Sequence, residues 1–173
     1  MANGERLWIF AYASLLWFPG FEPEETRAAW IHGYHRALCI LSVLYRGTPQ
    51  NPGLVMGLDK GGACRGLAHL VRKGEEEAVT AMLYEREMPT GVYVPRFLKT
   101  RLDDGRRINA LSFVAKRDHA QFRRLSVQEA AACIKQGVGE KGRAFDYLEC
   151  TVKRMDELGI HDAKLKRILE LAA

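Results

Sequence analysis

Leu7-Trp8-Ile9-Phe10-Ala11-Tyr12-Ala13-Ser14-Leu15-Leu16-Trp17-Phe18 is the stretch on which the fold turns. Its apolar run mimics the core of a secretory leader, with Ala11-Tyr12-Ala13 standing where a small-x-small cleavage signal would be. Three features oppose that reading: Glu5 cancels Arg6 ahead of the run, the mimic lies inside the run instead of after it, and the aromatic alternation suits a strand. Leu7 to Tyr12 is therefore read as a buried first strand, and the small residues after it as its exit turn. No segment reaches the roughly 20 apolar residues that a membrane helix needs.

Working outward, a second extended segment runs from about Ala28 to Leu44, with Gly33 as a bulge or bend. The turn-rich Arg46-Gly47-Thr48-Pro49-Gln50-Asn51-Pro52-Gly53 follows and cannot be helical. Leu54 to Leu58 and Cys64 to Val71 read as two strands of a hairpin around Lys60-Gly61-Gly62. Val92 to Thr100 and Arg107 to Ala115 form a second hairpin around Asp103-Asp104-Gly105. Between the two, Glu75 to Glu87 is helical. Ser126 with Glu129 makes a capping box for a helix to Gln136, Phe145 to Leu158 is another, and Asp162 caps a last one ending near Leu171. Strands early, one helix inserted and helices late predict an α+β fold, a compact mixed β-barrel or strongly curved sheet flanked by helices, in one domain over residues 1–173.

Composition agrees. A chain of 173 residues that is 47% hydrophobic suits one core. The net charge of +5 is spread over Arg106 and Arg107, Arg123 and Arg124, and Lys164, Lys166 and Arg167, which is the pattern of a solvated surface and not of a nucleic-acid footprint. Cys39, Cys64, Cys133 and Cys150 show no close pairing, so reduced thiols in the cytoplasm are expected, the first three as small core residues. His32 and His35 point to opposite faces of a strand and have no partner at ligand spacing, so no metal or other cofactor is expected.

The helix ending at Glu87 carries the chemistry. Val79 and Leu83 recur at a spacing of four, and the same row lands on Glu87, a carboxylate where the next core residue belongs. Pro89 and Gly91 stop the helix there, so burial and the negative helix end both raise this carboxyl pKa toward general-base range. The alternative is a helix-end glutamate paired with Arg86 or another cation. At the end of the first strand, Tyr12-Ala13-Ser14-Leu15 offers small residues whose successive N–H groups can converge on an anion. Glu85 falls on another helical face and is expected in solvent, while Arg46 is expected to pin its own loop.

Five blocks occur in order: Phe10 to Trp17; Arg46-Gly47-Thr48-Pro49 with Pro52-Gly53; Gly62-x-Cys64-x-Gly66-x-Ala68; Arg86-Glu87; and Phe145-Asp146-Tyr147-Leu148 with Leu158-Gly159-Ile160-x-Asp162. On these blocks the chain resembles the ChaC-type gamma-glutamylcyclotransferases, from Trp8 to about Leu165. The resemblance implies a mixed barrel with helices and an enzyme that converts a gamma-glutamyl compound, most often glutathione, to 5-oxoproline, here releasing cysteinylglycine. It implies that Tyr12, Ala13, Ser14 and Leu15 hold the gamma-glutamyl carboxylate through backbone N–H groups and that Glu87 is the catalytic base.

The chain departs from the family at Ala11 and Ala13, where glycines are usual, and alanine with positive φ at position 13 would cost about 1–2 kcal/mol. Met88-Pro89-Thr90-Gly91-Val92-Tyr93 replaces the usual lysine, two glycines and tyrosine, so Tyr93 stands in for the family tyrosine and the leaving amine is less defined than the reaction. Tyr147 is either a pocket-lining residue or a core tyrosine. The rival functions are a cyclotransferase for other gamma-glutamyl amines, a non-catalytic gamma-glutamyl ligand binder and a basic nucleic-acid-binding protein. The last would need clustered cations interleaved with exposed aromatics.

Overall fold

The computed structural model describes residues 6–173. Among them, β1 (Trp8–Ala11), β2 (Glu25–Ser42), β3 (Gly53–Leu70), β4 (Tyr93–Leu102) and β5 (Arg107–Ala115) form a closed barrel in the order β1-β3-β2-β4-β5. The α-helices are α1 (Glu76–Glu87), α2 (Val127–Gln136), α3 (Ala144–Glu157) and α4 (Ala163–Ala172). The fold is thus α+β, as expected. Two compact units are distinguished: the chain up to Arg36 with Leu58–Val114, and Ala37–Gly57 with Ala115–Ala173.

In the first unit every residue of β1 is buried, because the strand has partners on both edges. It runs antiparallel to β3, Trp8 opposite Leu70 and Ala11 opposite Leu67, and parallel to β5, Trp8 opposite Ala110. A strand with neighbours on both sides and no exposed face reads as an unbroken apolar run. Gly66 makes the β1–β3 approach possible: a Cβ there would stand 2.1 Å from the Ala11 carbonyl oxygen.

The hairpin expected within residues 54–71 is corrected. β3 is one continuous strand of 18 residues, and Gly61 (φ +99°) and Gly62 (φ +70°) bend it without reversing it. Its two halves find different partners: Leu58 lies opposite Val114 of β5, whereas Leu67 to Leu70 pair with β1. The hairpin at Asp103-Asp104-Gly105 forms as expected, with Leu102 N–H donating to the Arg106 carbonyl at 2.9 Å and Gly105 at φ +90°.

In the second unit α2, α3 and α4 pack on one another. Ser126 and Glu129 make the capping box reciprocally, and Asp162 caps α4 through Leu165 N–H. The Arg46–Gly53 turn, part of the second block, is held by crowding: a Cβ on Gly53 would meet the Arg46 carbonyl oxygen at 2.0 Å. Arg46 donates to the Arg143 carbonyl at 3.3 Å, the loop-pinning expected of it, and its guanidinium also lies 5.6 Å from the centre of the Tyr147 ring. Two short strands not foreseen, β6 (Val138–Gly139) and β7 (Gly142–Arg143), pair antiparallel ahead of α3.

Candidate active site

Beyond β1 the chain folds into a single 3₁₀ turn, Ser14–Leu16. Leu16 N–H donates to the Ala13 carbonyl at 2.9 Å and Phe18 N–H to that of Ser14 at 2.7 Å. The N–H groups of Ser14 and Leu15, being in the first turn, have no acceptor within the helix and are presented at its amino end. Ala13 has φ −139°. The penalty attached to a positive φ at that position does not arise, so alanine serves where glycine is usual.

Four groups hold this turn, all in the first unit. The Tyr12 hydroxyl donates to the Phe113 carbonyl at 3.0 Å, and Arg36 Nε donates to the Tyr12 carbonyl while its Nη2 reaches the Arg65 carbonyl at 2.7 Å. His69, buried on β3, lies with Nε2 3.1 Å from the Leu15 carbonyl and Nδ1 2.9 Å from Thr26 Oγ1. The carbonyl accepts only, so Nε2 carries the proton and Nδ1 accepts from the threonine hydroxyl. The fourth is Arg86. Its Nη2 donates to Ser14 Oγ at 2.9 Å, its Nη1 to the Phe18 carbonyl at 2.8 Å, and its Nε lies 3.2 Å from Glu87 Oε1.

Glu87 is the last residue of α1, on the row of buried Val79 and Leu83, with its side chain 17% exposed. Glu85 is exposed, as its face predicted. Both placements expected for Glu87 are met at once: it ends a core-facing row, and it pairs with Arg86. The Arg86 fork connects the carboxylate to the Ser14 hydroxyl, so one guanidinium joins the helix end to the turn after β1. Tyr93, half-buried, opens β4 after a turn in which Gly91 N–H returns to the Met88 carbonyl at 3.2 Å.

Tyr147 belongs to the second unit. It is buried on α3, and its hydroxyl accepts from Met56 N–H at 3.1 Å. Cys39 and Cys64 are buried, and burial pushes the Cys64 thiol up despite the nearby Arg36. His35 Nδ1 lies 2.9 Å from the Gly61 carbonyl and is used in the bend of β3.

Sequence reading missed His69 and gave Arg86 only the part of a charge partner. A histidine inside the otherwise apolar Leu67–Val71 was the available signal for the first. Nothing local marked the second, since its contacts span 68 and 72 residues.

The profile of the ChaC-like proteins matches residues 7–173. The chain belongs to the ChaC-like family. It is 34% identical over 164 residues, 94% of this chain and 71% of the relative, to the glutathione-specific gamma-glutamylcyclotransferase of Escherichia coli (strain K12). The glutathione-specific gamma-glutamylcyclotransferase 1 of Homo sapiens is 29% identical over 149 residues, 83% of this chain and 67% of its own length. The crystal structure of a yeast gamma-glutamyl cyclotransferase specific to glutathione superposes with a TM-score of 0.85 at 20% identity, covering 96% of this chain and 95% of that one, a likeness of fold. The ChaC-like match spans both compact units, and the turn after β1 and the end of α1 both lie inside it.

Proposed function

We propose that this chain is a gamma-glutamylcyclotransferase that converts glutathione to 5-oxoproline and cysteinylglycine, with residues 1–173 acting as one domain in the cytoplasm. The observation that carries this reading is the Arg86 fork, which ties the carboxylate of Glu87 to the Ser14 turn whose N–H groups are presented for an anion.

In this mechanism the turn Tyr12-Ala13-Ser14-Leu15 holds the alpha-carboxylate of the gamma-glutamyl group. Glu87 takes a proton from the substrate ammonium, and the freed amine attacks its own gamma-carbonyl carbon. The tetrahedral intermediate collapses with cleavage of the gamma-amide C–N bond as the proton on Glu87 passes to the leaving nitrogen, and the second proton of the attacking nitrogen, lost as the lactam forms, leaves through Glu87 to the released amine. Ring closure is intramolecular, so holding the glutamyl chain in attack geometry supplies much of the acceleration, roughly 7–11 kcal/mol at the limit. Tyr93 borders the leaving-amine side. Tyr147 helps to fix α3 against Met56, whose N–H its hydroxyl oxygen accepts.

A panel of gamma-glutamyl compounds, glutathione among them, scored for 5-oxoproline tests the proposal. Turnover of glutathione that persists with a chelator and vanishes in Glu87→Gln is the expected result; binding without 5-oxoproline release marks the non-catalytic alternative. The altered Met88-Pro89-Thr90-Gly91 turn favours a second reading, preference for another gamma-glutamyl amine, which the same panel reports as a higher kcat/KM for that compound.

A further inference from the structure

Cations that are scattered in the sequence are gathered by the barrel. Along β4, Leu98, Thr100 and Leu102 are buried while Phe97, Lys99 and Arg101 are exposed, so the latter three share the outer face. They border a groove of about 740 Å³, a size typical of small-molecule sites. Arg107 of β5 and Arg6 complete its positive lining, and no Asp or Glu lines it among the described residues.

The four cations are not equivalent. Arg6 is paired with Glu24 at 2.6 Å, and the Arg101 guanidinium is stacked 5.4 Å from the centre of Trp30. Lys99 and Arg107 are exposed and have no ion pair among the described residues, and Arg101 keeps its charge on the Trp30 ring, so three uncompensated cations line the groove, two of them with no stacking partner. The rings differ too. Trp8 is buried, whereas Phe97 is 55% exposed and lines the groove together with the cations. An exposed phenylalanine alone needs no explanation; one set beside unpaired cations in a concave site does.

We infer that this groove binds a nucleoside polyphosphate. Lys99 and Arg107 take the phosphates, through a mobile point charge and a planar fork respectively, and Phe97 stacks the base. The volume suits one ring with its phosphates, and a nucleic-acid strand would require a longer track of unpaired cations than this face carries. The groove is separate from the candidate active site, since β1 meets the groove at Trp8 and reaches the catalytic turn at Tyr12, about 13 Å further on at strand rise. The inference is independent of the cyclotransferase reading.

Isothermal titration calorimetry of the full chain with ATP and with tripolyphosphate, at fixed ionic strength, tests it. Tripolyphosphate carries at least as much charge and no ring, so ATP is expected to bind at least fivefold more tightly. Phe97→Ala should bring ATP down to the tripolyphosphate level and leave tripolyphosphate itself unchanged. Reversing charge with Lys99→Glu and Arg107→Glu together should weaken both at least tenfold, with near-UV circular dichroism showing that each variant is folded. No saturable heat with ATP, ATP no tighter than tripolyphosphate, or full affinity in the charge-reversed protein overturns the assignment, as does a single-stranded oligonucleotide that binds more tightly than ATP.

Discussion

Glu87 and Arg86 are adjacent in sequence and play unlike parts. Glutamine at position 87 keeps the size and the contact with Arg86 but accepts no proton, so Glu87→Gln should remain folded and lose turnover by about 100- to 10,000-fold. A rate per folded molecule near that of the parent protein would remove Glu87 from the chemistry. Arg86→Lys tests the fork: a lysine keeps the charge yet cannot serve Ser14, Phe18 and Glu87 together. Loosening the carboxylate and the turn at once should lower kcat/KM roughly 10- to 100-fold, with KM rising as well. Steady-state kinetics with unchanged kcat and KM would make Arg86 a surface ion and no more. The proposed base was legible because a helix writes its buried row at a fixed spacing, and a carboxylate on that row stands out. The fork was not, because nothing in the order of residues says that a side chain at position 86 reaches back to position 14.

At the level of elements, the turn proposed to hold the substrate carboxylate depends on how closely β1 and β3 approach. Adding a methyl group at Gly66 forces the Ala11 carbonyl away from its 2.1 Å collision. Gly66→Ala should therefore destabilise the protein by about 1–3 kcal/mol, read as a lower midpoint in urea, and should raise KM because Ala11 leads straight into Tyr12. An unchanged midpoint and KM would mean that the strands yield without effect. The late helices were legible from their caps, since Ser126 with Glu129 and Asp162 are local signals for local structure. β3 was not: Lys60-Gly61-Gly62 has the chemistry of a reversal, and only the partners on either side of it, β5 for one half and β1 for the other, decide that the chain goes on. Long-range pairing overrode a sound local rule.

For the molecule as a whole, surface carboxylates set the response to acid. Hydrogen bonding from Arg6 holds Glu24 below its ordinary range, Arg106 does the same for Asp104, Ser126 for Glu129, and Lys166 with His161 for Asp156. A carboxyl depressed in the folded state binds its proton more readily when unfolded, so its contribution is complete above the unfolded value near 4 and fades as pH falls through the lower folded value. The melting temperature should be level from neutral pH down to about 5 and decline below that, more steeply at low salt than at high salt because these pairs are exposed. A melting temperature that rises on acidification below pH 4 would contradict this.

The parallel pairing of β1 with β5 governs when this molecule can become active during its own synthesis. The residues assigned to the catalytic turn and the base all lie before Tyr93, yet β1 is seated against Ala110 and Leu111, and the Tyr12 hydroxyl is anchored on Phe113. Contacts that bridge about a hundred positions form late and slowly. A nascent chain whose Tyr93 has just cleared the exit tunnel exposes Glu87 and Ser14 but not the strand that seats them, so it should be cut readily by protease around Tyr12–Leu16. Resistance should appear only once Phe113 has cleared the exit tunnel, which makes the first strand translated among the last to find its place.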